Sequence, residues 1–284
     1  MAHGPRDLRN ESEKPADWDT SSNENFYEYY ARESLNPEMV RHFATIRDAV
    51  LRVFESREGH SRFYDVADVG CGAGTQSILW AEAGHRVSAI DVNRPLVELG
   101  ASRAADRGFQ IDFRIGSASS LPWGDESMDV CLAAELIEHV PNWRHTVREF
   151  ARVLRPGGVL FLATNNVIWP LQQEFNLPLY SWYPALLKRH FEHRARTAQP
   201  SLANFATYPA VNWFTYYGLR RSLGQIGFDC LDRFELINVA EKTGVKKLII
   251  SMIRAIPPFR WLAVLCAPSL MLLGIKKPCG PRVD

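Results

Sequence analysis

Residues 65–77 read DVADVGCGAGTQS, an apolar run that ends in three glycines at alternating positions, Gly70, Gly72 and Gly74. Glycine has no side chain to pack and loses the most backbone freedom on ordering, so three of them would weaken a strand or a helix that contained them. The segment Tyr64–Val69 reads as a strand and the segment from Thr75 as a helix packed on a sheet, which leaves the glycines in the turn between. A bare turn there lets a ligand approach the backbone and the start of the following helix.

Working outward, the chain alternates strand and helix. RVSAID (86–91) is a second strand, LVELGASRAADRG (96–108) a helix, IDFRIGS (111–117) and MDVCLAAEL (128–136) strands, WRHTVREFARVL (143–154) a helix and GVLFLAT (158–164) a strand. Right-handed strand–helix–strand crossovers imply a parallel sheet covered on both faces, a doubly wound α/β fold. Upstream, Met39, Phe43, Ile46, Val50 and Val53/Phe54 recur at helical spacing, which predicts one long helix beginning near Pro37. Past Thr164 the alternation breaks into an aromatic insertion, Asn165 to Phe214. A helix (215–227) and FDCLDRFEL (228–236), read as a strand, then follow.

The 284 residues are 46% hydrophobic and 23% charged, enough for a full globular core. A formal net charge of +1 supplies no field of the kind that tracks a phosphate backbone, so no nucleic-acid partner is expected. The five cysteines, Cys71, Cys131, Cys230, Cys266 and Cys279, form no CxxC pair, and a reducing, cytoplasmic setting is expected. Residues 1–25 read as a disordered polar tail and 26–284 as one domain, with a core at 60–164, a cap at 165–214 and a C-terminal helix, strand and apolar segment at 215–278.

Asp91 closes the second strand, where a carboxylate can accept hydrogen bonds from both hydroxyls of a ribose. The competing reading makes it the N-cap of the helix that starts with Asn93–Arg94. The glycine spacing is GxGxG rather than the GxGxxG of dinucleotide sites, and no GKS or GKT follows to make a phosphate-binding loop.

These segments resemble the class I S-adenosylmethionine-dependent methyltransferases. DVADVGCGAGTQS is similar to their first motif, VSAIDVN to their second, GSASSLPWGDESMDVCLAAELIEHV to the adenine and substrate region, and VLRPGGVLFLAT to the segment entering the fifth strand. The likeness covers Tyr64 to Thr164 in order and spacing, and AELIEHVPN is most similar to the ubiquinone-biosynthesis type of O-methyltransferase. The resemblance implies a mostly parallel seven-stranded Rossmann-like methyltransferase sheet with an aromatic cap insertion, its last, antiparallel strand formed by SLMLLGIKK (269–277). It implies S-adenosylmethionine as cofactor, held by Asp68, Gly70, Cys71, Gly72, Gly74, Asp91, Val92, Ser117, Ala118 and Glu135. Relatives often carry Asp at the position of Ser117, so a hydroxyl or a backbone carbonyl must accept from the adenine amino group here.

Methyl transfer asks for alignment of the acceptor and, for a hydroxyl acceptor, removal of its proton. Glu138 and His139, following the fourth strand, are the candidate catalytic pair. In the relatives a Glu-x-x-Glu-His run is associated with a divalent cation, so the resemblance allows magnesium as a second cofactor; its ligands are not readable from the sequence. The competing reading places Glu138 and His139 at the start of a loop, with His139 bonded to backbone. His190 and His193 read as a solvated helix face, with acceptor contact as their alternative. The insertion aromatics Trp169, Phe175, Tyr180, Trp182, Tyr183, Phe205, Tyr208, Trp213, Phe214, Tyr216 and Tyr217 either stack on an acceptor ring or form a satellite core. Tyr27, Tyr29 and Tyr30 either fold over the cofactor or pack a helix.

The expected reaction is methylation of a hydroxyl oxygen on a small molecule, sugar or lipid-linked intermediate. C- or N-methylation, a non-catalytic binding protein and an NAD-dependent oxidoreductase are the alternatives. Residues 245–267 are apolar with interspersed Lys246, Lys247, Arg254 and Arg260, a composition suited to peripheral membrane contact, a lid or a dimer interface. Prolines 257, 258 and 268 interrupt the run short of a spanning length.

Overall fold

The computed structural model describes residues 21–59, 62–171, 175–206 and 210–278. Seven strands form one sheet: β1 (Asp65–Val69), β2 (Arg86–Asp91), β3 (Asp112–Ile115), β4 (Met128–Ala134), β5 (Leu154–Asn165), β6 (Phe228–Asp232) and β7 (Ser269–Lys276). Their order is β3-β2-β1-β4-β5-β7-β6, with β1 to β5 parallel and β7 antiparallel to both β5 and β6. The direction of chain progression reverses between β1 and β4, and a doubly wound sheet opens its ligand crevice at that point, outside the carboxyl ends of the strands.

Both faces of the sheet are covered, which is why the central strands are apolar at nearly every position. Along β5, Leu160 and Leu162 enter one core with Phe150, Leu219 and Leu223, while Val159, Phe161 and Ala163 enter the other with Ile46, Val50, Phe54 and Trp80. Complete burial of a Val, Leu or Phe side chain is worth about 1.5–3 kcal/mol, so these alternating layers dominate the stability of the sheet.

The expected long helix is α2 (Pro37–Glu58), entered through the Asn36 cap with Pro37 in its first turn and closed by the left-handed Gly59. Ahead of it lies α1 (Glu24–Glu33), so order begins inside the expected 1–25 tail, of which residues 1–20 lie outside the described residues. The helices α3 (Thr75–Glu82), α4 (Arg94–Asp106), α5 (Trp143–Val153), α6 (Ala185–Thr197) and α7 (Tyr216–Gln225) follow.

The strand expected over 228–236 stops at Asp232, because that side chain caps a short helix, α8 (Arg233–Leu236), in a reciprocal capping box with Glu235. The chain then forms α9 (Gly244–Ala255) and α10 (Pro257–Leu265), bent by 107° to each other, before returning as β7. Among the described residues no single helix is long and apolar enough to cross a membrane.

In the insertion, Phe175 and Tyr180 stack with centroids 3.9 Å apart and are fully buried with Ala195 and Ala203, joined by Tyr183, Phe191 and Trp213. Phe214 and Tyr216 belong to the main core. The insertion therefore has its own satellite core, and the buried rings of Phe175, Tyr180, Phe214 and Tyr216 serve packing. Of the others, Trp182 is 56% exposed and Tyr208 lies outside the described residues.

Candidate active site

The three glycines lie in the turn after β1, all at positive φ (77°, 48° and 75°), a conformation that strains any residue with a Cβ. They serve different needs. A Cβ on Gly74 would sit 2.8 Å from the Phe113 ring and 3.2 Å from the Gly100 Cα, so its bareness comes from close packing on α4 and β3. A Cβ on Gly70 would press on Leu136 at 3.1 Å, whereas one on Gly72 would meet nothing within 4 Å. Of the three, Gly72 is the one whose bare face looks into open space.

The Asp91 carboxylate is held on both oxygens: Oδ2 accepts from the Gly72 N–H at 2.9 Å and Oδ1 from the Asn93 N–H at 2.8 Å. A carboxylate oxygen can accept more than one hydrogen bond. The competing reading of Asp91 as a helix cap fails, because Asn93 caps α4 by accepting from the Leu96 N–H at 3.0 Å.

Asp68 is buried, and its carboxylate accepts from the Ser77 hydroxyl at 2.5 Å and from Gln76 Nε2 at 3.3 Å. Burial pushes its carboxyl up to about 6 against the lowering effect of those two donors. These bonds make Asp68 the clamp that fixes the first turn of α3 behind the glycine turn. Cys71 is buried. Its side chain packs with Ala89 and Val97, and burial, reinforced by the charges of Asp91 and Asp68, pushes the thiol well up, so it stays protonated. Ser117 exchanges a 2.8 Å hydrogen bond with the Ser119 hydroxyl, and Ala118 belongs to the main core, so of that expected pair only Ser117 keeps a polar side chain for the rim. Val92, next to Asp91, is partly exposed.

At the end of β4 the chain turns sharply through Glu135, which is exposed and takes φ 50°. Glu138 is fully buried, and its Oε2 accepts from the Thr164 hydroxyl at 2.9 Å. That placement revises the expectation of a catalytic Glu138: the side chain points inward and ties the loop to β5. His139, half-buried on the same loop, keeps the candidate role. His190 and His193 are exposed on α6.

Sequence reasoning missed Asn212. Its Nδ2 donates to the carbonyls of Ile137 at 2.9 Å and Val140 at 2.7 Å, and its N–H donates to the Glu138 carbonyl at 3.0 Å. Those three acceptors bracket His139, so one asparagine from the end of the insertion fixes the loop that carries it. More than seventy residues separate the partners, and no spacing rule reaches that far.

The N-terminal helix closes the other side. Arg103 on α4 donates to the Ser34 hydroxyl and the Ala31 carbonyl, Thr75 at the start of α3 donates to the Ser34 carbonyl at 2.8 Å, and Asn23 donates to the Phe205 carbonyl in the insertion. Tyr29 lies 6.0 Å from the Phe205 ring. Thus α1 straps the first turn of α3 to α4 and to the cap.

Among the described residues there is no group of three or more His, Cys, Asp or Glu side chains that could hold a metal ion. With the Glu138 carboxylate turned inward to Thr164, the residues present do not fit the magnesium that the resemblance allowed. They do fit a nucleoside: an open glycine face, a preset carboxylate and a polar rim.

The strand order 3-2-1-4-5-7-6 with β7 reversed, the glycine turn after β1 and the acidic end of β2 define the Rossmann-like fold of class I methyltransferases. Residues 67–162 match the family model described as a methyltransferase domain. Among curated proteins it is similar to the ubiquinone biosynthesis O-methyltransferase of Caulobacter vibrioides, 37% identical over 128 residues, which are 43% of this chain and 50% of that one. The protein of the same name from Xanthomonas euvesicatoria pv. vesicatoria is 39% identical over 102 residues, 36% of this chain and 43% of that one. The chain thus spans half or less of the length of these curated relatives.

Two solved structures share the fold. The PH0226 protein of Pyrococcus horikoshii OT3 has a TM-score of 0.53 at 16% identity, covering 88% of this chain and 99% of that one. The YcgJ protein of Bacillus subtilis has a TM-score of 0.50 at 19% identity, covering 82% and 99%.

Proposed function

We propose that the protein transfers the methyl group of S-adenosylmethionine to a hydroxyl oxygen of a small-molecule, sugar or lipid-linked acceptor. The observation that carries the cofactor is the Asp91 carboxylate, held between the Gly72 and Asn93 N–H groups beside the open face of Gly72. The choice of oxygen is supported by the printed names of the curated relatives.

When bound, the cofactor supplies an electrophilic sulfonium methyl, so the protein need not activate the donor. Asp91 accepts from the ribose hydroxyls, Gly72 leaves room for the amino-acid part, and the strap of α1 with the cap excludes water. His139 would take the proton of the acceptor hydroxyl as that oxygen accepts the methyl group the cofactor supplies, and would later return the proton to solvent. Asn212 and Glu138 hold the backbone on either side of His139.

Calorimetric titration of the purified protein with S-adenosylhomocysteine, with NAD as control, tests the reading. S-adenosylhomocysteine alone should bind, and Asp91→Ala should weaken it about 100-fold, the loss of two hydrogen bonds to a charged acceptor. Binding of NAD instead, or of neither ligand to a folded protein, refutes the proposal. A positive result justifies screening hydroxylated acceptors.

A further inference from the structure

The helices α9 and α10 invert the usual pattern of a surface helix. On α9 the apolar residues Val245, Leu248, Ile249 and Met252 follow i, i+3, i+4, i+7 spacing, the stripe that normally faces a core, yet they are 71%, 60%, 50% and 39% exposed. On α10, Phe259, Trp261 and Leu262 are 47%, 54% and 54% exposed. No residue of α9 is buried, and only Val264 of α10 is. An apolar surface of this extent on one element marks an interaction site.

Charge separates along the pair. Residues 244–265 contain no Asp or Glu. Arg254 turns inward and donates to the carbonyls of Phe234, Glu235 and Ile237, and Arg260 turns inward onto Asp232 and Glu235 at 2.7 Å each. These contacts clamp both helices to α8 through polar groups and leave the apolar stripe outward. Lys246 and Lys247 stay exposed beside the stripe at the start of α9. Asn166, just beyond β5, donates to the carbonyls of Leu265 and Ala267, which fixes the end of α10 next to the strand end that borders the crevice.

We infer that α9 and α10 form a docking surface for an anionic lipid bilayer, lying in the plane of the interface. Twelve and nine residues span about 18 and 14 Å as helices, short of the ~30 Å hydrocarbon core, and the 107° bend prevents the two from adding end to end. In that pose the aliphatic and Phe side chains enter the acyl boundary, the Trp261 indole sits at headgroup depth, and Lys246 and Lys247 meet lipid phosphates. The absence of any acid on the two helices favours a negatively charged surface over a second copy of this nearly neutral chain.

The test is flotation of the full chain with vesicles of phosphatidylcholine alone and of phosphatidylcholine mixed with phosphatidylglycerol. The wild type should float with the mixed vesicles and do so less at high salt. Leu248→Glu/Phe259→Glu/Leu262→Glu, at exposed positions, should keep the thermal midpoint and lose flotation. Lys246→Glu/Lys247→Glu should reduce binding to the mixed vesicles at least about tenfold, since each basic residue near such a surface is worth roughly fivefold. Wild type left in the soluble fraction with both vesicles overturns the inference, as does flotation of a folded triple variant to the wild-type extent. If the triple variant fails to fold, unchanged flotation of the double variant overturns it. A wild-type dimer in gel filtration that the triple variant converts to monomer, with no vesicle binding, also overturns it and makes the face a contact between copies.

Discussion

Gly72 and Gly74 share a left-handed backbone but answer to different neighbours, so alanine at each should fail differently. At Gly74 the new Cβ would strain φ and collide with Phe113 and Gly100, a cost of about 2–4 kcal/mol, or a fall in the thermal midpoint of roughly 5–10 °C. At Gly72 only the φ strain of about 1 kcal/mol applies. There the methyl group enters the space assigned to the ligand, and affinity for S-adenosylhomocysteine should drop at least about tenfold. Thermal melts paired with calorimetry separate the two effects; equal destabilisation with equal affinity loss would contradict these assignments. The sequence shows that three glycines avoid a Cβ, but not which neighbour each one avoids. Asp91 shows the same limit: its two competing roles were both legible, and the choice depended on Asn93 taking the cap.

At the scale of elements, the expected strands and helices of the α/β core were legible because apolar period and breaker residues agree with one another. The longest overrun, a strand drawn through Asp232 to Leu236, came from reading apolar residues without the capping box that Asp232 and Glu235 form. The insertion was not legible: stacked Phe175 and Tyr180 have the composition of a binding surface and the burial of a core. Nor was its anchoring, since Asn212 fixes the His139 loop from more than seventy residues away. Asn212→Ala removes two hydrogen bonds, about 1–2 kcal/mol of local order. It should lower kcat about tenfold or more while leaving the affinity for S-adenosylhomocysteine within about twofold, because the glycine turn and Asp91 are untouched. Steady-state kinetics with calorimetry checks this; an unchanged kcat would remove Asn212 from the positioning of His139.

Across the whole molecule the two ends of the sheet divide the labour. At the end away from the crevice, buried Asp129 accepts from Arg62 at 3.1 Å and from the Asp65 N–H at 2.9 Å and pairs with Arg155 at 3.0 Å. Burial alone would push its carboxyl up, but these partners outweigh it and hold the carboxyl below the usual range. Such a group stabilises the fold at every pH above the ordinary carboxylate value near 4, and that contribution fades as pH falls further, when the unfolded chain takes up the proton first. Asp129→Asn should therefore cost about 2 kcal/mol at neutral pH, discounted for the half-exposed arginines, and less in acid. Affinity for S-adenosylhomocysteine should not change. Denaturant unfolding at pH 7 and pH 3, with calorimetry, is the check, and a loss of ligand affinity would show that the two ends are coupled.

The position of β7 between β5 and β6 has a consequence for how the chain is made. Its partner strand leaves the ribosome about a hundred residues earlier, roughly 5–20 s at ordinary synthesis rates. For that interval the Val159–Ala163 stretch of β5 presents an unpaired apolar edge, and β6 has no strand to join, because among the described residues β7 is its only partner. Completion of the sheet thus waits on residues 269–276, and a nascent chain stalled before them holds the crevice between β1 and β4 on a sheet still open at one side.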